Sequence, residues 1–251
     1  MSFPIIFLTY HKMEHFINPS LEVLDESWPN HGDVYIISDD KSDRILNCKK
    51  LYRFEYSLSW INLLHKGITK FQKDFPDIEA TYLILDDLIP LKPVDELTIE
   101  KNESIFKHRK WNFLYYPHYK NGFNYNISIN GQQFVQTPQE WPFYSQIGAG
   151  LLRLDYLLRL CEYAIDQNLH SPWEFEFIKS NEIHYISSYQ WPTVRDGYSK
   201  QRYINFKAIT FLNNGTFKNL LILYYLKQMP SRVFVFFIQK KNNIKHRLKG
   251  S

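Results

Sequence analysis

The apolar positions of this chain fall into short continuous runs separated by stretches of helical spacing. Pro4 to Leu8 predicts a first strand, and Thr9, Tyr10, His11 and Lys12 the polar loop that leaves it. Asn18-Pro19 predicts a helix start, a cap followed by proline at the first helical position, with Leu21, Leu24 and Trp28 on one face and a stop at Pro29. Asp33 to Ser38 predicts a second strand that delivers Asp39 and Asp40 at its carboxyl end, and Leu51 to Phe54 a short third one. Trp60, Leu63, Leu64, Gly67, Ile68 and Phe71 then repeat at helical spacing. The next run, Tyr82-Leu83-Ile84-Leu85, reads as a strand buried on both faces, and it ends in Asp86-Asp87.

Strand, helix, strand, strand, helix, strand is the order of a parallel sheet with right-handed crossovers. Beyond residue 105 the pattern changes. Phe113 to Tyr116 and Tyr125 to Ile129, with Asn-Gly pairs at 121–122 and 130–131, predict antiparallel hairpins. Leu151, Leu154, Leu158, Cys161 and Ile165 predict an amphipathic helix introduced by Gly148-Ala149-Gly150, with Asp155 and Arg159 paired on its outer face. Ser171-Pro172-Trp173-Glu174-Phe175-Glu176 follows as a capped segment dense in carboxylates and rings. The fold class expected is α/β, with a mixed, mostly parallel central sheet, flanking helices and a small antiparallel part.

Length and composition narrow the picture. The 251 residues suit one large α/β domain with an appendage, here a catalytic domain over 1–210 and an apolar, basic extension over 211–251. Two cysteines form neither a disulfide framework nor a ligand cluster, and the start of the chain lacks the features of a signal peptide, so a cytoplasmic location is expected. The net charge of +4 is concentrated late: Lys240, Lys241, Lys245, His246, Arg247 and Lys249 follow the apolar run Val233 to Ile238. That pairing suggests peripheral contact with anionic lipid at the inner face of the membrane; a last core strand with a solvated tail is the other reading. No basic stripe suggests nucleic acid.

The candidate chemistry sits at the strand ends. Open parallel sheets bind ligands beyond the carboxyl ends of their strands, and two adjacent carboxylates there supply hard oxygen ligands for a divalent cation. A turn or a cap would use the same residues. No Gly-x-Gly-x-x-Gly follows the first strand and no phosphate-binding Gly-x4-Gly-Lys-Ser/Thr occurs. Asp87 is the first candidate for the metal, with Asp86 sharing it. Glu176, with Glu174 second, is the candidate base, because a carboxylate among Trp173, Phe175 and Phe177 is partly desolvated.

From these residues onward the chain resembles bacterial glycosyltransferases of the GT-A fold, of the surface-polysaccharide type. The resemblance rests on the Trp60-led helix running to Asp86-Asp87, on the segment holding Gln146, and on the Ser171 to Glu176 motif. It covers roughly residues 4 to 200. It implies a Rossmann-like GT-A domain, a nucleoside-diphosphate-sugar donor, a glycan or lipid-linked acceptor and a divalent metal, Mn²⁺ or Mg²⁺. It also implies that Asp86 binds ribose or sugar hydroxyls, that Asp39 accepts hydrogen bonds from a nucleoside, that Thr9 and Tyr10 flank its base, and that Trp60 and Gln146 lie in the donor site. The chain departs from an Asp-x-Asp pattern, since position 88 is Leu88. Two alternatives stay open. A nucleotidyltransferase would use acidic residues on a similar sheet, with a glycine- and arginine-rich phosphate loop that is missing near the first strand. A degenerate domain would serve as a sugar-binding or assembly module.

Overall fold

The computed structural model describes residues 2–118, 122–142, 144–145, 148–193 and 218–226, with short pieces at 199–200, 203–204, 208–209, 212 and 215. Along the chain run β1 (Ile5–Leu8), α1 (Glu14–Ser27), β2 (Val34–Asp39), β3 (Lys50–Phe54), α2 (Trp60–Asp74), β4 (Ala80–Leu85) and α3 (Glu96–Arg109). Then come β5 (Phe113–Tyr116), β6 (Ile127–Ile129), β7 (Gln132–Gln136), β8 (Ala149–Arg153), α4 (Leu154–Asp166), α5 (Pro172–Glu176) and β9 (His184–Ser187). A two-stranded ribbon, β10 (Ser199–Lys200) with β11 (Tyr203–Ile204), closes the series.

Nine strands form one sheet in the order β3-β2-β1-β4-β8-β5-β9-β7-β6. The pairings set β8 and β7 against the direction shared by the other strands, so the expected mixed, mostly parallel sheet is present. The order 3-2-1-4 contains a switch point. From β1 the chain moves outward to β2 and β3, then returns to place β4 on the other side of β1. The crevice between the carboxyl ends of β1 and β4 is where such sheets bind ligands.

Alternation along the strands builds two cores. Ile5, Phe7, Ile36, Tyr82 and Ile84 point to the layer of α1 and α3, whereas Ile6, Leu8, Ile37 and Leu83 point to that of α2, α4 and α5. Gly67 of α2 lies so close to Ile37 that an added Cβ would stand 2.4 Å from its side chain, which lets this helix seat directly on β2. Leu221, in the helical stretch 218–226, is buried in the first core, and Tyr224 stacks on His15 with centroids 4.6 Å apart.

Three elements differ from the expected pattern. Helix α1 begins at Glu14 rather than at Asn18-Pro19, and Pro19 sits inside it. Asn18 is instead a tether: its side chain donates to the Ile45 carbonyl and accepts from the Asn47 amide. Residues Ala149–Arg153 form β8, threaded antiparallel between β4 and β5, and the helix starts only at Leu154. The glycine requirement there is steric, because a Cβ on Gly150 would lie 2.6 Å from the Phe113 ring. Phe113–Tyr116 enters the central sheet instead of a hairpin, while the hairpin at Asn130-Gly131 is present, with φ of 50° and 78°. Asn121 and the run from Val233 lie outside the described residues. Among those residues no helix is long and apolar enough to cross a membrane.

The second core encloses a titratable group. His184 is fully buried, its Nδ1–H donates to the Tyr144 carbonyl at 2.9 Å, and its Nε2 meets the Tyr156 hydroxyl. Burial pulls its pKa down to about 4, against the smaller upward pull of the Tyr144 carbonyl. An unfolded histidine titrates near 6.5, so as pH falls the unfolded chain takes the proton first. Stability is therefore complete above pH ~6.5 and lost progressively down to pH ~4, by about 3 kcal/mol from this group. Thermal melts from pH 8 to 4 should show that loss, with a shallower fall in His184→Gln.

Candidate functional site

Three strand ends converge on the switch point. Leu8 of β1 pairs with Ile37 of β2 and Leu85 of β4, so the residues that follow share one edge of the sheet. After β4 the chain turns at once: the Leu88 amide donates to the Leu85 carbonyl at 2.9 Å, leaving Asp86 and Asp87 as the two central residues of a turn. Thr9, at the end of β1, is buried and donates its Oγ1–H to Asp86 Oδ2 at 2.7 Å across the crevice. Thr9 thus positions Asp86, and Tyr10, 40% exposed, is the residue of that pair open to a ligand.

Asp86 retains some surface, yet its carboxylate is enclosed enough that burial pushes its pKa up to about 6, against hydrogen bonds from Thr9 and the Asp87 amide. An enclosed carboxylate whose charge is disfavoured is a group that a cation would relieve. Two adjacent carboxylates at an open edge fit a divalent ion that completes its shell with phosphate oxygens and water. Among the described residues, no cluster of three or more His, Cys, Asp or Glu side chains is gathered for a metal.

The turn is held from behind. Trp191, buried beyond β9, donates its indole N–H to the Leu88 carbonyl at 2.7 Å, and its own amide donates to the Pro117 carbonyl at 2.9 Å. The Leu91 amide donates to the Pro192 carbonyl at 2.8 Å. The segment after β9 therefore clamps the acidic turn to the end of β5.

Asp39 ends β2, and its carboxylate is engaged. It accepts from the His11 amide at 2.9 Å, the His11 ring at 2.8 Å and the Lys41 amide at 3.0 Å. Burial raises its pKa, but these bonds outweigh burial and hold it below the usual carboxylate range. Asp39 thus organises the loop after β1 and holds the His11 ring against its own carboxylate. Beneath it, buried Glu14 receives two bonds from the Arg53 guanidinium, at 2.7 and 3.2 Å, and one from Ser38 Oγ at 2.6 Å. Arg53 also donates to the Asp39 carbonyl at 2.9 Å. His11, Glu14 and Arg53 are contributors that the sequence pattern does not single out; the polar loop Thr9 to Lys12 is the signal that could find His11.

The far side of the crevice comes from the second half of the chain. The register of β8 against β4 brings Gly148 to the same edge, where a Cβ on it would meet Tyr115 at 3.2 Å and Leu88 at 3.5 Å. Ser145 ties this approach to α5, its amide donating to the Glu176 carbonyl and its Oγ to the Ile178 carbonyl. Trp60 opens α2 behind the Ser59 cap and meets Phe175 edge-on at 5.9 Å. Gln146 lies outside the described residues.

The two candidate bases part company. Glu176 is buried, 8% exposed, at the end of α5. Glu174 closes a capping box: its Oε2 accepts from the amides of His170 and Ser171 and from Ser171 Oγ, while its own amide donates back to that hydroxyl. Those bonds, the His170 amide first, hold its pKa down to about 2. A carboxylate so stabilised as the anion is a cap and a poor proton acceptor. A cavity of about 1510 Å³ opens at the opposite edge of the sheet, lined by Phe3, Gly32, Glu79, Glu103 and Arg153 among others. Glu103 there is engaged by Ser2 and Tyr82, and the acidic turn lies at the other end of the strands.

Comparison with known proteins adds little to this geometry. No family profile matches the sequence, and no curated protein matches it. Among solved structures, the chain is similar to 2-C-methyl-D-erythritol 4-phosphate cytidylyltransferase from Thermus thermophilus. The identity is 8% and the TM-score 0.43, over 70% of this chain and 83% of that one. At that level the likeness carries no argument about activity.

Proposed function

We propose that the protein is a nucleotide-using transferase, and specifically a glycosyltransferase that moves a sugar from a nucleoside-diphosphate sugar to a glycan or lipid-linked acceptor. The observation that carries this reading is the Thr9–Asp86 hydrogen bond across the switch point, which sets a carboxylate pair where a sheet of this order holds a nucleotide. Asp86 and Asp87 would hold a divalent cation, Mn²⁺ or Mg²⁺, which when bound offsets the charge of the departing diphosphate. The chain's own groups do the rest. The Asp39-anchored loop with Tyr10 and His11 receives the nucleoside, and Trp60 walls the donor side. Glu176 takes the proton from the acceptor hydroxyl as its oxygen bonds to the anomeric carbon and the bond to the diphosphate breaks. In a retaining enzyme Glu176 would have a different role.

Calorimetry with UDP and GDP, with and without Mn²⁺, tests the reading: metal-dependent binding is expected, and none to either nucleotide would overturn it. Tight binding of a nucleoside triphosphate with pyrophosphate release would assign the site to a nucleotidyltransferase instead. Saccharide binding without nucleotide binding would assign it to a non-catalytic module. Glu176→Gln is expected to lower kcat by about 10²–10⁴-fold with little change in donor affinity. Glu174→Gln should lower the melting temperature by weakening the cap, leaving kcat within about threefold of the parent.

A further inference from the structure

The charge of this chain is divided by position. All 26 Asp and Glu residues lie at or before Asp196, whereas 11 of the 30 Lys and Arg residues lie after it, so residues 197–251 are purely cationic and residues 1–196 carry a net negative charge. Within the cationic part stands an apolar block, since Leu220 to Leu226 is aliphatic or aromatic at every position. A helix that is apolar all round is ordinarily covered all round. Among the described residues, the helical stretch 218–226 is covered on one side only. Leu221 is fully buried in the first core, and the Tyr224 ring lies on His15 and Phe16, with centroids 4.6 and 4.9 Å away. His15 and Phe16 belong to the first turn of α1, so that side is fixed to the body of the domain.

The other side is a stripe. Asn219, Ile222, Leu223 and Leu226 follow the i, i+3, i+4, i+7 spacing of one helix face, and Ile222, Leu223 and Leu226 are 36%, 49% and 55% exposed. The surroundings select what covers it. The stripe is aliphatic and lacks the flat rings on which nucleic-acid bases stack, and contacts to phosphate alone call for no apolar stripe. Lys218 begins the helix, Lys227 and Arg232 follow it, and the sequence from Lys240 to Lys249 holds five Lys and Arg, with no carboxylate to offset any of them. Aliphatic side chains set among uncompensated cations match the boundary between acyl chains and anionic headgroups, where the leucines enter the apolar layer and the ammonium groups stay with the phosphates. The same headgroups repel the acidic remainder of the chain, so the field of the molecule turns its cationic part toward them.

We infer that the outer face of helix 218–226, with the basic sequence that follows it, seats the protein on a bilayer rich in anionic phospholipid. Such seating is independent of the transferase reading above. The test is flotation of the full chain with vesicles of phosphatidylcholine alone or with about one-quarter phosphatidylglycerol. The mixed vesicles are expected to carry the protein and the neutral ones to leave it behind, with partition falling at least tenfold as salt screens the headgroups. Leu223→Ser/Leu226→Ser should lower partition into the mixed vesicles at least tenfold while leaving the melting temperature unchanged, because both side chains lie outside the core. Lys240→Gln should lower it about fivefold. Equal partition into both kinds of vesicle would overturn the anionic-lipid assignment. Partition of the double variant equal to that of the parent would show that the stripe faces no lipid. A melting temperature lowered by several degrees in the double variant without vesicles would show that the chain's own apolar run, Val233 to Ile238, covers the stripe, and a parental dimer that the double variant dissolves would assign it to a second copy; either result overturns the inference.

Discussion

Asp86→Asn and Asp87→Asn are each expected to lower turnover of the sugar nucleotide by about 10²–10³-fold, and the double substitution to abolish metal-dependent nucleotide binding. A divalent ion bound by one or two carboxylates together with substrate phosphates loses both charge and a hard donor when either acid becomes an amide. The two variants should differ in fold stability. Asp86 is enclosed and carries charge at a cost, so Asp86→Asn should leave the metal-free melting temperature unchanged or higher. Its raised pKa also gives the pH dependence a sign. Below pH ~6 the folded carboxylate is protonated and has no charge to offer; stability falls as pH rises from ~4, where the unfolded carboxylate ionises, to ~6, and above that a bound cation restores it. Mn²⁺ should therefore raise the melting temperature at pH 7.5 and fail to do so at pH 5. A shift of equal size at both values would show that Asp86 is not a ligand.

Trp191→Ala is expected to cost about 3–5 kcal/mol and lower the melting temperature by roughly 10 °C. Trp191 is 1% exposed and packs edge-on against Trp28 at 5.8 Å, so its removal leaves a large cavity, and the Leu88 carbonyl loses its indole donor. Trp191→Phe separates the two effects. Most of the packing survives, the stability loss falls to about 1–2 kcal/mol, and the loosened turn weakens Mn²⁺-dependent nucleotide binding beyond what the melting shift accounts for. Equal nucleotide affinity in Trp191→Phe and the parent would mean that the clamp supports the fold and not the carboxylates.

The parts of this molecule that can be read from sequence are those whose signal is local. Strands β1, β2 and β4 announce themselves as continuous apolar runs because both faces of the sheet are covered. The acidic strand end is visible for the same reason. Helix α3 is not, since Ile99, Ile105 and Phe106 are too widely spaced to trace a stripe; Asp95 capping the Thr98 amide and Lys110 in a left-handed conformation fix its ends. Strand β8 hides because its buried leucines also match helical spacing, and only the partner ring of Phe113 explains Gly150. The His11–Asp39 and Arg53–Glu14 contacts join positions 28 and 39 residues apart, and no local pattern reports them. The double nature of the Ser171 segment is legible, with its cap and its candidate base in the same six residues. Three-dimensional partners are needed to tell Glu174 from Glu176.

The insertion of β8 between β4 and β5 has a bearing on biosynthesis. Leu83 pairs with Ile6 on one side and with Gly150 on the other, so as the chain emerges from the ribosome the β8 side of β4 stays unpaired until all of β5 to β7 has been made. An unpaired strand edge of that kind, with free backbone N–H and C=O groups beside largely apolar side chains, invites sticking between nascent chains. Fragments truncated before β8 should accordingly accumulate as insoluble material, even though β1 to β4 are already present in them.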